Sequence, residues 1–545
     1  MILNLLKRNK PASPVLTAVE TEVLETDKKL SECLIWQLME DYYQQGVDAW
    51  QSVPFHATSN AYIAKSYAEL VIHFLLDYEP HLDKTEPIYI LEMAAGTGSF
   101  SFHLVRELLK QQQKFSALTA LQIRYVMADF SQATIDSWKA QPGLMNYMDA
   151  GVLDFALFYP EDETQLFLQH SQHTISAGTV KNPLIALANY FFDSLRQDLF
   201  QIDNHALQET RVNVERPKQE APLAVSQVSL IRHHHDIQGE YYPDKHMNAL
   251  LQEYSEYFEE GSIIFPVSSF QVIRNLEVLS GNNLVLISSD KGFTDINFMQ
   301  GKWDHGYALH GGAFSYMVNY HAIRRYFEHH GGITFGTQDQ DYALTTTVNI
   351  RLKNPVELNQ LSYYFDQYFD TTNLINNLSN QVESLRRAHD LDAPGVIRAS
   401  LSLVRLSNYD PGIFWCVGER LCRSVGQINT SQKLVLLDML EKVLAQYYAS
   451  PVAYNALAWI GAIYYELDHV EKAQNIFLES IRIYGENANT GVVYYIALSY
   501  ECQEQFDTAL YYLEVTQKLD PAAKFVQKDI ARVKDKKKTD QKKAA

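Results

Sequence analysis

Apolar and polar positions alternate in two different rhythms along this chain. Up to about residue 375, short apolar runs that stop at Gly, Asp or Asn are separated by stretches whose apolar residues recur every three or four positions. That is the mark of strands and helices alternating in a doubly wound α/β sheet. Five runs predict interior strands: 88–91, 123–129, 148–158, 183–188 and 283–289. The first is the organising one, because Ile88, Ile90 and Leu91 lead directly into E-M-A-A-G-T-G-S-F and then into a helix carrying Phe102, Val105, Leu108 and Leu109 on one face. Helical patterning is also predicted from Asp27 through Trp36, Leu38, Met39 and Tyr42. A second helix, capped by Ser59 or Asn60, carries Ile63, Tyr67, Leu70 and Ile72. Alternation on both sides of Asp203-Asn204 predicts a β-hairpin over 199–214.

Beyond 375 only the helical period survives. Leu457, Gly461, Tyr464, Ala473 and Phe477 follow tetratricopeptide (TPR) spacing. Ala497, Tyr500, Ala509 and Leu513, with Pro521 after them, repeat it 36 positions later, which implies an insertion at 486–489 in a unit of about 34 residues. A generic helical bundle is the competing reading. The expected division is a flexible arm at 1–26, an α/β domain at 27–375 with an insertion at about 199–280, a TPR-like helical domain at 385–525 joined through 371–380, and a basic tail at 526–545. A concave helical surface implies a protein partner.

Composition narrows the class. The 545 residues are 46% hydrophobic and 12% aromatic, ample for real cores, and 65 acids against 46 bases leave a net charge of −19, which argues against a nucleic-acid binder. Four scattered cysteines without a C-x-x-C pair point to a reducing, cytoplasmic setting. The first ten residues have the reverse polarity of a signal peptide, and no stretch reaches membrane-spanning length. The runs His233-His234-His235 and His329-His330 lack the spacing of a metal site, so no metal is expected.

The chemistry is concentrated after the first strand. Gly96, Thr97 and Gly98 make a tight turn, but neither the third glycine of a dinucleotide fingerprint nor a P-loop lysine follows, which weakens NAD, FAD and ATP. Glu92, Ala94, Gly96 and Gly98 match the spacing E-x-G-x-G-x-G of S-adenosylmethionine (AdoMet) sites, with alanine at the first glycine. An acid beside the turn suits a cationic sulfonium. Asp129, followed by Phe130 at the end of the second strand, is the ribose candidate. Asp154 and Phe155 are candidates for the adenine, with an ordinary turn aspartate as the alternative. A glycine turn in some other doubly wound domain also remains open.

The order of E-x-A-x-G-x-G, a strand ending in Asp-Phe-Ser, and A-N-Y-F-F-D-S-L at 188–195 resembles the MidA family of AdoMet-dependent methyltransferases. That family includes a mitochondrial assembly factor for respiratory complex I that methylates a protein arginine. The resemblance implies a Rossmann-like methyltransferase domain over roughly 27–350, with Asn189, Asp193 and Asp290 on the acceptor side and Thr58 and Ser59 in a loop over the cofactor. Tyr190 stands where the family has glutamate, which bears on the acceptor. The expected function is therefore AdoMet-dependent methylation of a protein side chain recruited by the helical repeats. The alternative is the same fold kept as an AdoMet-binding scaffold.

Overall fold

The computed structural model describes residues 20–46, 49, 53, 58–218, 223–301, 305–338, 344–372, 374–485 and 489–544. Residues 1–19 of the expected arm, His56 and Ala57 of the loop before Thr58, and 486–488 of the inter-repeat insertion lie outside them. Seven strands form the main sheet: β1 Ile88–Met93, β2 Ile123–Asp129, β3 Leu153–Leu157, β4 Leu184–Asn189, β5 Leu284–Asp290, β6 Ile333–Gly336 and β7 Thr345–Arg351, in the order β3-β2-β1-β4-β5-β7-β6. The first five are parallel, and β7 runs antiparallel between β5 and β6. The chain builds outward from β1 to β3, then returns to the other side with β4. The carboxyl ends of β1 and β4 therefore flank the switch point where an open sheet holds its ligand.

Alternation along the strands feeds two cores. Ile88 and Ile90 point into the layer that holds helices α1 (Ala61–Tyr78) and α2 (Ser99–Gln112) and runs on into the C-terminal helices. Tyr89, Leu91 and Met93 point to the opposite face, covered by the insertion. The side chain of Asn60 caps α1 by accepting from Ile63 N at 3.0 Å, a contact worth about 1 kcal/mol.

Ahead of this sheet the chain departs from the expected pattern. Thr21–Lys29 is a strand, and the helix that follows it, Ile35–Tyr43, starts at Ile35 rather than near Asp27. The strand pairs with Ala206–Pro217, nearly two hundred residues away, and such long-range pairing overrides a local helical period. With Asp198–Asp203, Ser229–Asp236 and Glu260–Phe265 it makes a five-stranded antiparallel sheet. The predicted hairpin lies inside this sheet, turning at Asn204 and His205. His234 and His235 bond Thr210 and Asp27 there, each at 2.9 Å. Among the described residues no group of three or more His, Cys, Asp or Glu could hold a metal ion, and no helix is long and apolar enough to cross a membrane.

From Leu374 onward all the regular structure among the described residues is helical. Two helical hairpins, Ala456–Glu466 with Val470–Tyr484 and Thr490–Cys502 with Phe506–Leu519, carry the repeated positions, and a Cβ at Gly461 would meet the Phe477 ring at 2.5 Å. The sequence change near 375 is not a break in packing. Ala61 N donates to Asp410 Oδ2 at 2.8 Å, and one apolar core includes Ile90, Tyr125, Phe414, Tyr448 and Phe477.

Candidate functional site

The turn after β1 bends three times through the left-handed region. Ala94, Gly96 and Gly98 have φ of +50°, +55° and +77°. Glycine takes this conformation without strain, whereas at Ala94 it costs about 1–2 kcal/mol. The alternate-residue pattern of the motif is thus a backbone requirement, met once by an alanine. The turn is held by Gly98 N donating to Ala95 O at 2.9 Å and by Trp138 Nε1 donating to Gly96 O at 2.9 Å.

Two adjoining cavities open at the switch point. One, of about 290 Å³, is lined by Thr58, Ser59, Glu92, Ala94, Gly96, Thr97, Asn189 and Asp193 among others. The second, of about 390 Å³, is lined by Asp129, Phe130, Phe158 and Tyr159, and it shares Tyr43, Ala94, Tyr190 and Ser194 with the first. Most of the predicted site residues therefore surround one bipartite crevice of the size that takes a nucleoside-sized ligand.

The structure does not bring Asp154 and Phe155 to this crevice. Asp154 stands near the start of β3, and its carboxylate accepts from Phe155 N, His170 N and Ser171 N at 2.8, 2.8 and 3.1 Å, which fixes a neighbouring hairpin. Phe155 packs on Trp138 in the core. The residues past the end of β3, Phe158 and Tyr159, take the place expected of them. Gly98 is also outside the lining: a Cβ there would meet Tyr448 Oη at 2.8 Å and Met127 Cε and Trp138 Cδ1 at 3.1 Å, so its space is filled by protein.

Four carboxylates define the electrostatics. Glu92 accepts from Tyr125 Oη at 2.7 Å and from Ser101 Oγ, yet burial still pushes it up to about 7. Asp129, 6% exposed, accepts from Ser131 N at 2.9 Å and is likewise raised by burial to about 7. Asp193 lines the cavity, and Asp290 stands directly behind it, its Oδ2 accepting from Asp193 N at 3.1 Å. Burial raises both members of this pair. The charge of Asp193 raises Asp290 further, well above the usual carboxylate range, and the two titrate as a pair.

Asn189 ends β4 beside them. Tyr67 Oη donates to its Oδ1 at 2.7 Å and meets Ser289 Oγ at 2.5 Å, and Ser289 Oγ meets Thr346 Oγ1 at 2.7 Å. This chain orients the amide so that Nδ2, in a residue that lines the cavity, is a buried donor with no partner among the described residues. Tyr190 follows with φ +45°, its N donating to Ser289 O at 3.0 Å, and its ring lines both cavities.

Sequence reasoning did not single out Lys291, His310, Ser315 or Tyr454, all of which line the first cavity. Burial and the Lys291 charge lower the His310 pKa, which keeps the ring neutral, and its Nε2 meets Ser315 Oγ at 3.0 Å. Lys291 immediately follows Asp290, one of the acceptor-side residues that the family resemblance implies. Tyr454, from the helical region, carried no signal.

No protein-family model and no curated relative matches the chain. Among solved structures it is similar to a COG1565-superfamily member and candidate methyl transferase from Burkholderia thailandensis bound to S-adenosyl-homocysteine. The two share 12% identity over 62% of this chain and 90% of that one, with a TM-score of 0.39. A native structure of an uncharacterised protein of the same superfamily and organism aligns at 12% identity over 61% and 89%, again with a TM-score of 0.39. A superposition that loose shows neither ligand nor activity. The region over the seven-stranded sheet is a Rossmann-like, doubly wound α/β arrangement, followed by an all-helical, repeat-like region.

Proposed function

We propose that this protein binds AdoMet in the bipartite crevice and transfers its methyl group to a nitrogen on a protein side chain. The observation that carries the reading is the ring of carboxylates around the left-handed turn. Glu92, Asp129 and Asp193 face a ligand space where a pyrophosphate would be repelled and a cationic ligand with free hydroxyls is favoured. The buried Nδ2 of Asn189, which has no partner among the described residues, is a donor for which the carboxylate-bearing end of such a ligand or the acceptor's own oxygen would supply an acceptor. Bound there, AdoMet would contribute an electrophilic methyl group on its sulfonium.

The chain's own residues do the rest. Asp129 would accept from ribose hydroxyls, and Phe130, Phe158 and Tyr159 would border the adenine. Asp193 lines the crevice with Asp290 behind it, and burial raises both, so the pair shares a proton more readily than separate carboxylates would. Asp193 is thereby placed to hold an N–H acceptor and take the proton that nitrogen releases on methylation. Tyr190 supplies a hydroxyl where the resembling family has a carboxylate, so the acceptor need not be the arginine of that family. The helical repeats would select the protein.

Calorimetry with AdoMet and S-adenosylhomocysteine tests the first half, with Asp129→Ala expected to lose about 1.5–3 kcal/mol of affinity. Methyl-labelled AdoMet in a cell extract tests the second. Label should appear in few protein bands and vanish with Asp193→Ala while cofactor affinity persists. Binding of NAD in preference to both ligands would overturn the cofactor assignment, and label confined to RNA or small molecules would overturn the acceptor class.

A further inference from the structure

Residues 446–455, between helices Thr430–Ala445 and Ala456–Glu466, are a non-helical segment of the C-terminal region lying on the glycine turn. Tyr448 Oη donates to Thr97 O at 2.9 Å, Gln141 Nε2 donates to Ala449 O at 2.7 Å, and the Arg106 guanidinium bonds Ala445 O. The Phe102 ring lies 5.3 Å from that of Tyr448. Six residues further on, Tyr454 stacks on Trp415 at 4.6 Å and enters the wall of the smaller cofactor cavity. On its other side lies a separate cavity of about 270 Å³, which shares Ser59 and Tyr454 with the first and is otherwise bounded largely by the helical region.

The same segment is anchored to the repeats. Tyr484, from the second helix of the first hairpin, donates to Tyr454 O at 3.2 Å and meets Tyr447 Oη at 2.7 Å. The segment is thus bonded to a repeat helix through Tyr447 and Tyr454 and to the carbonyl of Thr97 in the turn through Tyr448.

Resting on the AdoMet reading, we propose that the 446–455 segment completes the cofactor site. Tyr448 is a positioning residue that holds the turn through Thr97, and Tyr454 is the wall that separates bound cofactor from the cavity between the two regions. Two consequences follow from linkage. Whatever docks this segment tightens cofactor binding, and bound cofactor tightens the docking by the same factor. The helical region is then a working part of the site as well as a recruiting surface.

The test uses the full chain and S-adenosylhomocysteine. Tyr448→Phe should weaken binding about five- to tenfold, the size of one lost hydrogen bond with its acceptor left buried. Tyr454→Ala should weaken it more, whereas Tyr454→Phe, which keeps the ring, should stay within about twofold of wild type. Asp77→Ala is the comparison. It breaks bonds to Gln360 N and Leu361 N at the far end of α1, about 25 Å from its start, and should lower thermal stability without changing affinity. Hydrogen exchange of the 96–99 amides without ligand should accelerate in Tyr448→Phe and not in Asp77→Ala. Unchanged exchange, or affinities of all three tyrosine variants within twofold of a binding wild type, would overturn the proposal. A wild type that ignores the ligand would instead overturn the cofactor reading, with the exchange comparison still deciding whether the segment holds the turn.

Discussion

Replacing Gly98 by alanine separates two explanations of the motif. In the structure a Cβ at this position points away from the crevice and meets Tyr448 Oη at 2.8 Å, with Met127 and Trp138 atoms at 3.1 Å, at a backbone φ of +77°. The left-handed conformation costs an alanine about 1–2 kcal/mol and overpacking a filled site about 1–3 kcal/mol, so Gly98→Ala should destabilise by roughly 2–5 kcal/mol. Tyr448→Phe alone loses the bond to Thr97 O and should cost about 1–2 kcal/mol. Combined, the two should be less harmful than their sum by about 1 kcal/mol, because the missing hydroxyl opens space for the new methyl group while Met127 and Trp138 still press on it. Urea denaturation of the four proteins gives the cycle, provided that tryptophan fluorescence and far-UV ellipticity change together. A stable Gly98→Ala protein that has lost S-adenosylhomocysteine binding would mean that the methyl group meets ligand. Strict additivity would mean that Tyr448 does not fill the space.

Three further outcomes are expected. Asp129 must be ionised to accept from ribose hydroxyls but titrates near 7 without ligand, so S-adenosylhomocysteine affinity should fall as pH drops below about 7, and calorimetry in buffers of different ionisation enthalpy should detect proton release; Asp129→Asn should remove that dependence. Glu92 is raised from 4.5 to about 7 in the folded chain, so the fold favours its protonated form, and the contribution this group makes to stability is lost as pH climbs from about 4.5 to 7; relative to wild type, Glu92→Gln should gain melting temperature over that window, and a pH-independent difference would refute it. Ala94→Gly relieves a φ of +50° and should be neutral or stabilising by up to about 1 kcal/mol, whereas Ala94→Val should destabilise, both read by chemical denaturation.

Strand ends were the legible part of this site. Glu92, Asp129, Asn189 and Asp290 each close an apolar run, and a parallel sheet gathers such positions at one edge whatever the details of its helices. Asp154 was misplaced for the converse reason. Periodicity marks a run but not which end of it a short strand occupies, and Asp154 proved to sit near the start of one. Thr345–Arg351 went unseen because it is rich in threonine, although it is buried between two strands. Thr21–Lys29 was unreadable because its partner is so distant in sequence.

The helical region poses the deeper problem. A helical period says which face of each helix is buried and nothing about what buries it, so Leu457 or Phe477 could be assigned to a core without showing that this core continues beneath the sheet. The segment that touches the glycine turn is not helical at all, and Q-Y-Y-A-S-P-V-A-Y-N reads as an ordinary linker. Gly98 then acquires two explanations that sequence cannot tell apart, close approach of a ligand and close approach of Tyr448. Geometry favours the second. The glycine motif of this chain therefore shapes a ligand cavity at Ala94 and Gly96 and a joint between the two regions at Gly98.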